Sequence, residues 1–290
     1  MVVYTSTAAK LVIVAAAAAA AGTIQARKQY SDPADQSLTA PLVNVQFYGT
    51  VISFYSLLQG GLLTRVPELR AVSRGIYRNV LFSFWIATSL SKTFAATGVA
   101  EIMNFEFFPW GNAYFNTSSC GQAAGYDKDK SMYCWIKECG VASPPSECFN
   151  KAVSPILCQH GQNECLANRI EGCINGLANT THDSINYTIC FEGSFQDSWM
   201  SNSSAVMDAA EKCLGDTVSY INPVMFASCI EGPQGDEYDK TNAKATAHYG
   251  ASRLGTPWVV VDGKAMQDVS DLLETVCDSY QGTKPSGCST

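Results

Sequence analysis

Two hundred and ninety residues, 47% of them hydrophobic and 16% charged, supply enough apolar side chain for one sizeable core and exclude intrinsic disorder. With 19 Lys plus Arg, 26 Asp plus Glu and only three histidines, the chain carries a net charge of −7, which makes nucleic acid a poor partner. All 12 cysteines lie at or after Cys120, so a thiol-free first part is followed by a thiol-dense second part.

Residues 1–26 are expected to form a signal peptide, because Lys10 precedes an apolar run from Leu11 to Ala21 and small residues continue to Ala26. The run is shorter than the roughly 20 residues of a bilayer-spanning helix. Cleavage is therefore expected to leave no stable membrane insertion, an uncleaved anchor being the alternative. Residues 27–41 are expected to be a linker to a domain spanning 42–288. Export agrees with the cysteine density, since such thiols persist as disulfides only where the medium is oxidising. Cys120, Cys134, Cys139, Cys148, Cys158, Cys165, Cys173, Cys190, Cys213, Cys229, Cys277 and Cys288 are thus all disulfide candidates, with a connectivity that spacing leaves open. Sequons at Asn116, Asn179, Asn186 and Asn202 predict glycosylated surface loops in this same part.

Val43-Asn-Val45-Gln-Phe47-Tyr48 alternates apolar and polar residues, predicting a half-buried strand over 42–48. Leu57 to Ser91 departs in composition from its surroundings, with four of the seven arginines, one acidic residue and no lysine. Ser91 to Met103 is expected to close a helix with Gly98 as its C-cap, and Ile102 to Phe108 to form a second strand. Residues 114–157 are expected to be a Cys-rich loop insert, and 158–230 a helical insertion with helices over 163–177 and 203–214. Trp258 to Val261 followed by Asp262-Gly263 predicts a strand entering a hairpin turn, and Val269 to Tyr280 an amphipathic helix. Strand, helix, strand, a long excursion, then strand, hairpin and helix is the order of an α/β thioredoxin-like fold with a disulfide-rich, partly helical insertion.

Cys158, Gln159, His160, Gly161, Glu164, Cys165, Asn168 and Cys173 stand at set places within sixteen positions. This stretch resembles the signature of the gamma-interferon-inducible lysosomal thiol reductase family. The likeness continues at Pro109 to Ala113, at Thr256 to Lys264 and at Val276 to Cys288. The resemblance implies an enzyme of the endosomal and lysosomal route, or of the secreted space, that reduces disulfides in unfolded protein substrates through a Cys-x-x-Cys pair after the first strand. One thiolate attacks the substrate bridge and the second cysteine resolves the mixed disulfide, with no cofactor and no metal. Pro257 matches the position of that fold's cis-proline beside the reactive pair.

The chain departs from the family at the decisive place, because no two of its cysteines are three apart. Laid on the family's first strand, Val43 to Tyr48 puts Ser53 and Ser56 where the two cysteines belong. A hydroxyl ionises far above the thiol's reference of about 8.5 and cannot form a mixed disulfide. The excess length over the family at 51–86, within an atypical insertion at 51–90, is either genuine or a gene-model error such as a retained intervening sequence. A catalytically inactive glycoprotein that binds unfolded polypeptides without reducing them is therefore the alternative function. Zinc held by Cys158, Cys165, Cys173 and His160, and a Cys158–His160 nucleophile pair, are weaker readings than disulfides.

Overall fold

The computed structural model describes residues 40–49, 89–123, 128–194, 201–249 and 256–289. The expected leader at 1–26, the linker before Ala40 and most of the atypical segment, with Ser53 and Ser56, lie outside the described residues.

The alternating stretch forms strand β1 (Val43–Gly49), and its apolar positions Val43, Val45 and Phe47 enter the core. It pairs in parallel with β2 (Met103–Pro109), Val43 opposite Met103 and Gly49 opposite Pro109. A parallel pair needs a crossover; of it, the described residues include helix α1 (Ser91–Ala95) and a 3-10 turn at Ala100–Ile102. On its other side β1 pairs antiparallel with β5 (Trp258–Val261), whose hairpin partner β6 (Lys264–Ala265) completes a four-stranded sheet of order β2-β1-β5-β6. β5 buries all four residues because the sheet is covered on both faces there. On one face Phe47 stacks on Phe107 at 4.8 Å over a core completed by Leu272, Leu273 and Val276 of α9 (Leu272–Ser279). The other face gathers Tyr48, Trp258 and Val260 against Phe108, Ala245 and Tyr249.

Between the sheet's halves lies an all-disulfide excursion. β3 (Tyr114–Phe115) and β4 (Ile156–Leu157) form a small antiparallel pair. α2 (Ser118–Ala123) and α3 (Lys128–Cys139) occupy the stretch expected to be loop. That expectation is corrected by Met132, Trp135, Ile136 and Cys139, buried at helical spacing on α3 around Trp110 and Phe115. Five helices follow: α4 (Gln162–Leu177), α5 (Thr181–Gly193), α6 (Ser203–Thr217), α7 (Pro223–Glu231) and α8 (Pro233–His248). The helical run thus continues past residue 230 to His248. Three starts are set by side-chain caps: Thr180 accepts from the Asp183 amide, Asn202 from that of Ser204, and Asn222 from that of Val224 with Pro223 at the first helical position. Among the described residues no helix is long and apolar enough to cross a membrane.

Two local expectations are corrected. The final helix is split, its first turn being a 3-10 turn at Val269–Asp271 capped by Asp268, before α9 begins. Gly98 is not the C-cap of α1; Ala96 is, in an extended conformation. Gly98 instead turns the chain at φ +77°, where an added Cβ would lie 2.6 Å from the Pro285 Cβ. Gly263 has the same φ of +77° in the β5–β6 turn, yet a Cβ there would meet nothing within 4 Å. The pair separates backbone strain from crowding. G263A is expected to cost about 1 kcal/mol in urea unfolding, and G98A about 2–3 kcal/mol because overpacking is added. Equal losses would show that Pro285 yields without cost.

Candidate functional site at the end of the central strand

The carboxyl end of β1 sits between two turns. On the β2 side the Trp110 amide donates to the Gly49 carbonyl at 2.8 Å. On the β5 side Tyr48 opposes Trp258, so the register brings the next residues, Gly49 and Pro257, side by side. The Thr256–Pro257 peptide is cis. Gly49 therefore ends β1 beside Pro257, on the edge that also carries the turn after β2.

That turn, Trp110-Gly111-Asn112, is held by the sixteen-residue signature. Asn112 Nδ2 donates to Gln159 Oε1 at 2.7 Å, and Asn168 Nδ2 on α4 donates to the Trp110 carbonyl at 3.3 Å. Glu164, fully buried in the first turn of α4, accepts from the His160 amide at 2.6 Å, and the His160 ring Nδ1 lies 3.1 Å from the same oxygen. A carboxylate at that place also meets the positive end of the helix dipole. Gly161, at φ +108°, makes the reversal into the helix, and Cys158–Cys165 closes it as a disulfide. The signature is thus a clamp that binds the start of α4 to the turn after β2.

This arrangement replaces two of the weaker readings. Cys158 is bonded to Cys165 and Cys173 to Cys229, so these sulfurs are disulfides rather than thiolates, and His160 turns to Glu164. The twelve cysteines form six disulfides, the others being Cys120–Cys134, Cys139–Cys148, Cys190–Cys213 and Cys277–Cys288. One close group of metal-type ligands occurs among the described residues, Cys120, Cys134 and Glu138, and its two sulfurs share a bond.

The other sheet face near the site is aromatic. Tyr48 stacks on Phe108 at 4.9 Å and meets Tyr249 edge-on at 5.0 Å, while Tyr249 Oη donates to Gln46 Oε1 at 2.6 Å. Burial, then Tyr249 and Glu106, push the Tyr48 phenol far above its ordinary range, so it stays neutral. Trp110 stacks on Phe115 and is buried, as are Phe105 and Phe107. The aromatic run is core except for half-buried Phe108. Sequence reasoning missed Gln46 and Tyr249, which carry no motif; the pairing of Asn112 with Gln159 joins two stretches that were singled out separately.

Of the sequon asparagines, Asn179 and Asn202 are exposed, whereas Asn116 and Asn186 are partly covered, Asn186 within α5. On accessibility, N179Q and N202Q are each expected to remove one glycan step in electrophoretic mobility when the chain is expressed through a eukaryotic secretory route; unchanged mobility for both would refute this.

Residues 144–217 match the family model described as gamma interferon inducible lysosomal thiol reductase. The mouse gamma-interferon-inducible lysosomal thiol reductase is 33% identical over 139 residues, 46% of this chain and 50% of the mouse protein. That of Carassius auratus is 25% identical over 209 residues, 70% of this chain and 65% of the fish protein. A GILT-like protein of Caenorhabditis elegans is 26% identical over 133 residues, 45% of this chain and 37% of the worm protein. The chain therefore spans from about a third to two thirds of the length of these relatives. The sixteen-residue signature from Cys158 to Cys173 lies inside the segment that matches this family model, and the chain is similar to these thiol reductases over that part.

Proposed function

We propose that this protein is a thioredoxin-like member of the gamma-interferon-inducible lysosomal thiol reductase family that engages unfolded or disulfide-bearing polypeptides along the edge formed by Gly49, Pro257 and the Trp110–Asn112 turn, in the lysosomal, vacuolar or extracellular space. The sheet order and the parallel β1–β2 pair followed by an antiparallel hairpin support the thioredoxin-like reading. Six disulfides fit an oxidising compartment. Proline lacks an N–H, so an incoming extended segment meets backbone that is not already committed to a ladder at that position.

The chemistry at that edge is binding rather than reduction. Reduction starts with a thiolate attacking a substrate sulfur. The observation that carries the reading is that all twelve cysteines are bonded to one another; on this reading Ser53 and Ser56 are the counterparts of the family's cysteine pair. The relatives' names as thiol reductases favour a second reading, in which the protein reduces substrate disulfides after one of its own bridges is opened.

Purified protein decides between them. Wild type is expected to retain a reduced and alkylated polypeptide on a column and to leave an intact disulfide substrate unreduced after any activating thiol is removed. S53C/S56C is expected to gain reductase turnover without losing capture. Turnover by wild type would overturn the binding reading, and failure of both proteins to capture polypeptide would overturn the assignment of the edge.

A further inference from the structure

We propose that Glu171 on α4 and Glu192 on α5 share one proton and form a latch within the helical lobe, closed in acid and loosened as the medium approaches neutrality. This goes beyond the polypeptide-binding reading and stands independently of its outcome.

Both residues are fully buried, with 0% of their surface exposed. All four carboxyl oxygens are buried without a well-formed hydrogen bond among the described residues, although the Thr188 hydroxyl lies near Glu171. Two ionised carboxylates in apolar surroundings without a cation are prohibitively costly. A proton retained by one carboxyl supplies a donor between the two acids and makes the second carboxyl an acceptor. Burial pushes both groups well above the ordinary carboxylate range; at Glu171 the Thr188 hydroxyl and Glu192 oppose this, whereas at Glu192 the charge of Glu171 adds to it. The pair therefore titrates as one unit.

Among the described residues no cation relieves it: on α8 Lys240 pairs with Glu237 while Lys244 and His248 are exposed, as is His182 of α5. Arg169, on the same helix as Glu171, is held by Asp236 and Asp239 of α8 and donates to the Ile230 carbonyl. On α5, Tyr187 is a neutral phenol raised by burial and by Glu171, and Asp183 accepts from the Tyr220 hydroxyl. On α6, Asp208, Glu211, Lys212 and Asp216 are exposed, as is Glu231 of α7. On β2, exposed Glu106 accepts from Gln46.

The latch reaches the candidate site through α4. Asn168 and Asn175 flank Glu171 on that helix, and they bond the carbonyls of Trp110 and Phe107. A loosened α4–α5 contact therefore slackens the support of the turn beside Pro257. The sign follows from proton linkage: the folded protein holds these protons more tightly than the unfolded chain. The stabilisation is complete below the ordinary carboxylate range and is lost as pH rises through the raised folded values.

Thermal unfolding of the full chain between about pH 5 and about pH 7.5 tests this. Wild type is expected to lose about 5 °C more across that interval than E171Q/E192Q, a shift readable for a chain of this size. Equal pH dependence in the two proteins would overturn the latch. Should the double variant not fold, infrared spectra of wild type and E192Q near neutrality give a second readout. A protonated-carboxyl C=O band present in folded wild type, and lost on unfolding and in E192Q, supports the shared proton; its absence from folded wild type overturns it.

Discussion

Exchange of both Cys173 and Cys229 for alanine is expected to cost about 4 kcal/mol of stability, against about 2.5 kcal/mol for the same exchange at Cys139 and Cys148. The difference comes from the unfolded chain. Cys173–Cys229 spans 56 residues and Cys139–Cys148 spans nine, and a longer closed loop removes more conformations from the denatured ensemble. All four cysteines are buried, so loss of side-chain volume is similar at the two places and largely cancels in the comparison. The longer bridge ties α4 to α7 across the helical lobe. Chemical denaturation of the two double variants measures the difference. Equal losses would mean that strain, or residual structure in the unfolded chain, outweighs loop entropy.

The parts of this fold legible in the sequence are those whose burial is written in apolar residues. Val43, Val45 and Phe47 alternate and form β1; Ile170, Cys173 and Ile174 recur on α4; Asp262-Gly263 takes the left-handed turn that its composition demands. Helices α5 and α8 were not legible for the opposite reason. α5 buries Ser184, Thr188 and Glu192 along with Ile185, Tyr187 and Phe191, and α8 buries Gly235, Asp239, Asn242 and Thr246 along with two alanines. The spacing is helical in both, but polar and small residues carry it, so a search for apolar periodicity passes over it. Those buried polar groups are meaningful only with their partners, such as Arg169 for Asp239, and the partners are distant in sequence. The same limit applies to the site. The signature was visible as a pattern, but its work as a clamp depends on Asn112 and the Trp110 carbonyl, and pairing across such a separation leaves no local trace.

Trp135 carries the second large expected effect. Its indole is fully buried, 6.3 Å from Trp110, 6.4 Å from Phe115 and 5.9 Å from Phe149 by ring centres. Nε1 donates to the Cys148 carbonyl at 3.1 Å. W135A removes this packing and leaves a buried carbonyl without its donor, for an expected loss of about 5 kcal/mol. W135F keeps most of the ring contact and gives up the hydrogen bond, so about 2 kcal/mol is expected. Stability should therefore fall in the order wild type, W135F, W135A in equilibrium unfolding. The consequence reaches the candidate site, because Trp110 both packs on Trp135 and positions the turn that Asn168 holds against the end of β1. Polypeptide capture by W135A, measured at a temperature where the variant remains folded, is accordingly expected to weaken more than capture by W135F. A W135F protein as unstable as W135A would assign the role of this residue to its hydrogen bond rather than to the aromatic cluster.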